Sequence, residues 1–121
     1  MPHTQPPKTE VLDFTRTIVN NLDGDLLKVI LYGSVAHGNA SVDSDIDILL
    51  VVRDQALFKT KQLTQRLSTQ RAYDTDYGSR LSPRVLSESG YTNATQPRPT
   101  SFMRRVLATG IILYDQAKET T

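Results

Sequence analysis

The chain has 121 residues, 38% of them hydrophobic, enough for one packed domain and too few for a second catalytic module. Fourteen Lys and Arg against thirteen Asp and Glu leave a net charge of +1, so no global field favours nucleic-acid phosphates or an anionic membrane. With no cysteine, disulfides, thiolate catalysis, cysteine-ligated zinc and iron–sulfur clusters are excluded, and any metal must be hard and oxygen-bound or use the two histidines.

Residues 1–8 hold three of the six prolines and no periodic apolar pattern, and they read as a flexible leader without an apolar signal region. Thr9 is a plausible N-cap for a helix whose apolar residues, Val11, Leu12, Phe14, Ile18, Val19 and Leu22, recur at helical spacing until Asp23-Gly24-Asp25 breaks them. Leu26–Tyr32 is short, β-branched and almost wholly apolar, which predicts a buried strand ending at Gly33. Residues 33–44 are small and polar, a turn with room for one helical turn, and Ile46–Val52 is a second buried strand that carries Asp47. This longest apolar run falls far short of the roughly 20 residues that cross a bilayer, so a soluble, cytoplasmic protein is expected.

Asp54 is placed to cap a helix over 56–70 with a thin apolar stripe of Leu57, Phe58, Leu63 and Leu67. Residues 72–77 (AYDTDY) alternate like a third strand, Ser82-Pro83 reads as a helix start, and 88–100 reads as a Pro/Asn/Thr loop. Thr100 then caps a helix through Ala108, Gly110 ends it, and Ile111–Tyr114 reads as a last strand. The domain is expected over 9–116 with a flexible tail at 117–121, and the fold class is α/β or α+β, a small mixed sheet flanked by helices.

The chemistry concentrates between residues 26 and 52, where a strand runs into Gly33-Ser34, ten residues follow, and Asp45-x-Asp47 opens the next strand. Residues i and i+2 of a strand share a face with Cα atoms roughly 7 Å apart, so both carboxylates converge on one locus where two hard divalent cations such as Mg²⁺ fit. Gly33 lets backbone approach a phosphate closely, and Ser34 offers a hydroxyl and an N–H where a helical turn would favour an anion. A lone D-x-D is often just a solvated edge, and Gly-Ser is often just a turn. The apolar ILLVV after Asp47 argues against an edge strand, and the conjunction of the two motifs carries the reading.

Other motifs fail on inspection. Gly33-x4-Gly38 begins like a Walker A loop, but Asn39-Ala40 stands where Lys and Ser/Thr must contact phosphate and Mg²⁺. Asp43, Asp45, Asp47 and Asp54 sit at EF-hand positions, yet Ile48 occupies the obligatory glycine. No G-x-G-x-x-G, H-E-x-x-H or G-x-S-x-G is present. His37 reads as a surface or packing residue and Tyr32 as core. Arg104-Arg105 reads as the wet face of a helix, with a partner or nucleotide-phosphate contact as the lesser reading.

Leu31–Val52, LYGSVAHGNASVDSDIDILLVV, resembles the G-S-x10-D-x-D signature of polymerase-β-like nucleotidyltransferases. Its A-x-G-x5-S-D-x-D pattern is similar to that of the minimal nucleotidyltransferases, with His37 in place of a frequent Arg. Phe102–Asp115, FMRRVLATGIILYD, resembles the closing helix and G-x-x-L-Y segment of the same family. The resemblance implies a third carboxylate on the next strand, completing a two-metal triad. Alternation cannot choose between Asp74 and Asp76; Asp76 is favoured because the family places this acid shortly before a Ser/Thr-Pro helix start.

The expected protein is therefore a Mg²⁺-dependent nucleotidyltransferase. Asp45, Asp47 and Asp76 would be its catalytic and metal-binding residues, Gly33 and Ser34 would hold the nucleoside triphosphate, and the resemblance implies ATP as donor. Minimal nucleotidyltransferases are commonly paired with a HEPN-domain ribonuclease toxin. The resemblance thus implies an antitoxin that adenylylates its toxin partner, with no direct role for nucleic acid or membrane. The alternatives are an aminoglycoside-type transferase acting on a small molecule, whose usual extra helical domain is absent here, and a non-catalytic antitoxin that acts by binding alone.

Overall fold

The computed structural model describes residues 8–33, 46–74 and 81–119. Helix α1 spans Lys8–Leu22 and ends in a 3-10 turn over Asp23–Asp25. Strands β1 (Leu26–Tyr32) and β2 (Ile46–Val52) follow, and a 3-10 turn over Asp54–Ala56 leads into α2 (Leu57–Asp74). The chain then forms β3 (Leu81–Ser87), α3 (Glu88–Thr95), α4 (Ser101–Thr109), β4 (Ile111–Asp115) and a single turn, α5 (Gln116–Glu119). The strands make one mixed sheet in the order β3-β2-β1-β4, in which β1 runs antiparallel to β2 and β4 while β2 and β3 are parallel. The expected small mixed sheet flanked by helices is what the chain forms, an α+β arrangement.

The two central strands are buried on both faces, which is why they are almost continuously apolar. On one face Val29, Leu31, Ile48 and Leu50 meet Val11, Phe14, Ile18 and Leu22 of α1 and Leu63 of α2. On the other face Ile30, Tyr32, Leu49 and Val51 meet Met103 and Val106 of α4, with Tyr91 and Ala94 of α3 and Phe102 of α4 packed beside them. Alternation places Asp47 on this second face, in register with Tyr32.

Several local expectations are corrected. The third strand lies at 81–87 rather than 72–77, because α2 continues through Ala72, Tyr73 and Asp74. Once a helix is nucleated each added residue gains a hydrogen bond, and the Gln, Arg and Ala of this stretch are good helix formers, so weak alternation loses. Ser82 and Pro83 lie within β3 and start no helix; Pro is tolerated because, among the described strands, β3 is at the edge and pairs with β2 alone. The stretch read as a 88–100 loop opens with α3, whose N-cap Ser87 accepts from the Gly90 N–H at 3.0 Å. Thr9 is no cap, since α1 begins at Lys8. Asp54 also caps no helix: Arg53 is the N-cap of its turn, and Asp54 Oδ1 instead accepts from the Ser89 N–H at 3.0 Å, tying the start of α3 to the end of β2. Thr100 does cap α4, accepting from the Met103 N–H at 3.1 Å.

Candidate active site

The site is built where β1 ends beside the start of β2. Gly33 follows Tyr32 with φ +83°, a left-handed conformation that glycine alone adopts freely. A Cβ on Gly33 would lie 2.5 Å from Asp47 Oδ2, so the missing side chain is also what makes room for the carboxylate. The turn is held from the second face: the Gly33 N–H donates to Thr109 Oγ1 at 3.0 Å, and that hydroxyl donates to the Arg105 carbonyl at 2.9 Å. Gly33 therefore contributes shape, while its own N–H is spent on the end of α4.

Tyr32 is 2% exposed and pairs in register with Asp47. Burial raises the pKa of its phenol, and the negative charge of Asp47 raises it further, against the opposing influence of Arg84 and Arg105. Phe102 meets the Tyr32 ring edge-on, with centroids 5.5 Å apart and an interplanar angle of 89°. The Arg84 guanidinium lies 4.8 Å from the Phe102 centroid and that of Arg105 lies 5.9 Å from the Tyr32 centroid. An aromatic pair carrying two cations thus adjoins the carboxylate.

Of the residues singled out from the sequence, Gly33 and Asp47 are brought together. Ser34, Asp45 and Asp76 lie outside the described residues, as does His37. Asp74 is the last residue of α2 rather than part of a strand. The third strand reads LSPRVLS and carries no acid, so a third carboxylate has to come from outside β3. Among the described residues no group of three His, Cys, Asp or Glu is placed to hold a metal. Asp47 nevertheless suits a hard cation, since the donor is a carboxylate, and its close approach to the turn depends on Gly33 having no Cβ.

Sequence reasoning missed Arg84, Phe102 and Thr109. No local signal marks Arg84, and Phe102 and Thr109 lie in the segment that resembles the family's closing helix without any sign of contact with the site; they reach it through the β2–β3 register and the packing of α4. Arg105, of the Arg104-Arg105 pair whose lesser reading is a partner or nucleotide-phosphate contact, lies over the Tyr32 ring.

Residues 16–119 match the family model described as polymerase beta, nucleotidyltransferase. The chain belongs to that family. It is thus an enzyme of the nucleotidyltransferase class, and the motif from Gly33 to Asp47 falls within the match. A Methanocaldococcus jannaschii protein, proposed by its name to be a protein adenylyltransferase, is 29% identical over 79 residues, covering 65% of this chain and 78% of that protein. Among solved structures, a toxin–antitoxin with AMP-PNP superposes with a TM-score of 0.52 at 19% identity, covering 90% of this chain and 78% of that one, a likeness of fold. A Shewanella oneidensis complex of a tri-AMPylated HEPN toxin with an MNT antitoxin gives a TM-score of 0.48 at 15% identity, covering 94% and 77% of the two chains, a fit too loose to carry weight. No helix among the described residues of this nucleotidyltransferase is long and apolar enough to cross a membrane.

Proposed function

We propose that this nucleotidyltransferase moves AMP from Mg²⁺-bound ATP to a hydroxyl of a protein partner, a HEPN-domain toxin that it thereby neutralises as an antitoxin. The observation that supports the reading is the seating of the Asp47 carboxylate against the left-handed Gly33 turn, at one end of the sheet, where a metal ligand and a close backbone approach to phosphate would be needed together. Membership of the family and the name of the archaeal relative support adenylyl transfer.

Asp45 and Asp47 would hold Mg²⁺, with Asp76 proposed as the third ligand, and the metal would offset charge on the triphosphate. Because the Gly33 N–H is engaged by Thr109, holding the phosphates falls to the hydroxyl and N–H of Ser34, and Gly33 serves by letting backbone come close. The acceptor hydroxyl oxygen forms a bond to the α-phosphorus, the α–β phosphoanhydride bond breaks, and pyrophosphate leaves. Asp76 is the proposed acceptor of the hydroxyl proton. The Arg105 carbonyl and Thr109 keep the turn in place through the reaction.

A second reading, an antitoxin that acts by binding alone, is favoured by one observation, the absence of an acid from β3. Incubating the chain with Mg²⁺, labelled ATP and a HEPN-domain toxin separates the two. We expect one adenylyl mass per transferred group on the partner, lost in Asp45→Asn and Asp47→Asn variants that melt as the parent does. Neutralisation of the toxin without any label would replace catalysis with binding.

A further inference from the structure

We propose that Arg84 is a phosphate-contacting residue of the nucleotide site, its guanidinium binding the triphosphate from the third strand. The inference rests on the nucleotidyl-transfer reading and adds to it a residue that neither the motif nor its spacing marks. In the β2–β3 register Ser82 stands opposite Asp47 and Arg84 opposite Leu49, so Arg84 projects from the same face of the sheet as Asp47 and Tyr32. Its side chain does not stay at β3. The guanidinium stacks on Phe102 at 4.8 Å, and that ring meets Tyr32 edge-on at 5.5 Å, so the cation reaches over β2 toward the residue that precedes Gly33. That reach aims a cation at the end of the sheet where Asp47 meets the glycine turn.

The chemistry of this placement is specific. Arg84 is an exposed residue, yet it is held on an aromatic face rather than left free in solvent. A guanidinium stacked on a ring keeps its in-plane N–H donors for other partners, in a fork that matches two phosphate oxygens. Among the described residues the ion pairs lie elsewhere, at Arg16–Asp13, Lys28–Asp115 and Lys59–Asp25. Arg105, over the Tyr32 ring at 5.9 Å, adds a second positive charge beside the first. Triphosphate and carboxylate repel one another, so a cation fixed on the Asp47 face lowers the cost of bringing them together.

Calorimetric titration of the full chain with a non-hydrolysable ATP analogue in Mg²⁺, and separately with adenosine, tests the assignment. For Arg84→Ala we expect affinity for the analogue to fall about 10- to 150-fold, the range for a lost hydrogen bond to a charged group, while adenosine binds within about twofold of the parent. Arg84→Lys should recover part of the loss by restoring charge without the fork. Arg84→Met, which keeps an unbranched apolar cover on Phe102, should behave as Arg84→Ala does, and an unchanged melting temperature would show that its fold is intact. Equal affinity of parent and Arg84→Ala for the analogue would overturn the inference, and so would an equal loss for analogue and adenosine, which would mark Arg84 as a packing residue. If the parent binds no Mg²⁺–ATP analogue at all, the nucleotidyl-transfer reading fails together with this one.

Discussion

Gly33 is the residue on which most of the local geometry turns. Its φ of +83° is costly for any side chain, by about 1–2 kcal/mol for the left-handed region, and its absent Cβ is the space that Asp47 Oδ2 approaches. Gly33→Ala should therefore lower the melting temperature and also abolish binding of Mg²⁺–ATP, because the displaced carboxylate can no longer adjoin the turn. Gly24→Ala is the matched control: an added Cβ there meets nothing within 4 Å, so stability and binding should both stay near the parent's. Thermal melts with and without nucleotide read both effects, and a Gly33→Ala variant that binds nucleotide normally would show the close approach to be incidental. Gly33 and Asp47 were legible in the sequence because they stand at the fixed spacing of the G-S-x10-D-x-D motif. Arg84 and Phe102 were not, since a lone Arg in a polar stretch and a lone Phe in a helix acquire meaning only when the sheet brings them together.

At the scale of elements, β1 and β2 were readable because strands buried on both faces must be apolar throughout. The segment from 72 to 87 was misread: Asp74 and Asp76 suggested a strand by alternation and Ser82-Pro83 a helix start, whereas the edge position of β3 made Pro83 acceptable where a central strand would have refused it. This bears on the third carboxylate. With Asp74 closing α2, Asp76→Asn should remove transfer as the Asp47 substitution does and Asp74→Asn should cost little; the reverse result in a labelled-transfer assay would exchange the two, and two silent variants would favour binding without catalysis.

Asp54 offers a pH test of how α3 is docked. The hydrogen bond from the Ser89 N–H, foremost, and those from the Ser89 and Ser87 side chains hold its carboxyl below the ordinary aspartate value of 3.8. A group whose pKa is depressed by folding contributes stability above its unfolded value and loses it as pH falls through the folded value. Asp54→Asn should thus be less stable than the parent at neutral pH, and the gap should close as pH drops below 3.8, measured by urea midpoints across that window. A gap that persists unchanged at low pH would mean that shape rather than charge is being lost.

For the molecule as a whole, the question is what acceptor its site is made for. The four longer described helices are accounted for by the sheet: α1 and α2 cover one face, and α3 and α4 the other. If the acceptor is a protein, orientation of the attacking hydroxyl comes from its docking on the chain, which supplies effective molarity through an interface. A formal charge of +1 leaves no general attraction for an RNA held by its phosphates, and local complementarity must choose the partner. We expect a competition experiment with labelled ATP and Mg²⁺ to place label on the HEPN protein even with an aminoglycoside in excess. That labelling should fall when the partner is denatured, because a docked surface rather than a bare hydroxyl is recognised. Label confined to the aminoglycoside, with the protein untouched, would show that the site orients a small alcohol by itself and would return the chain to the small-molecule transferases.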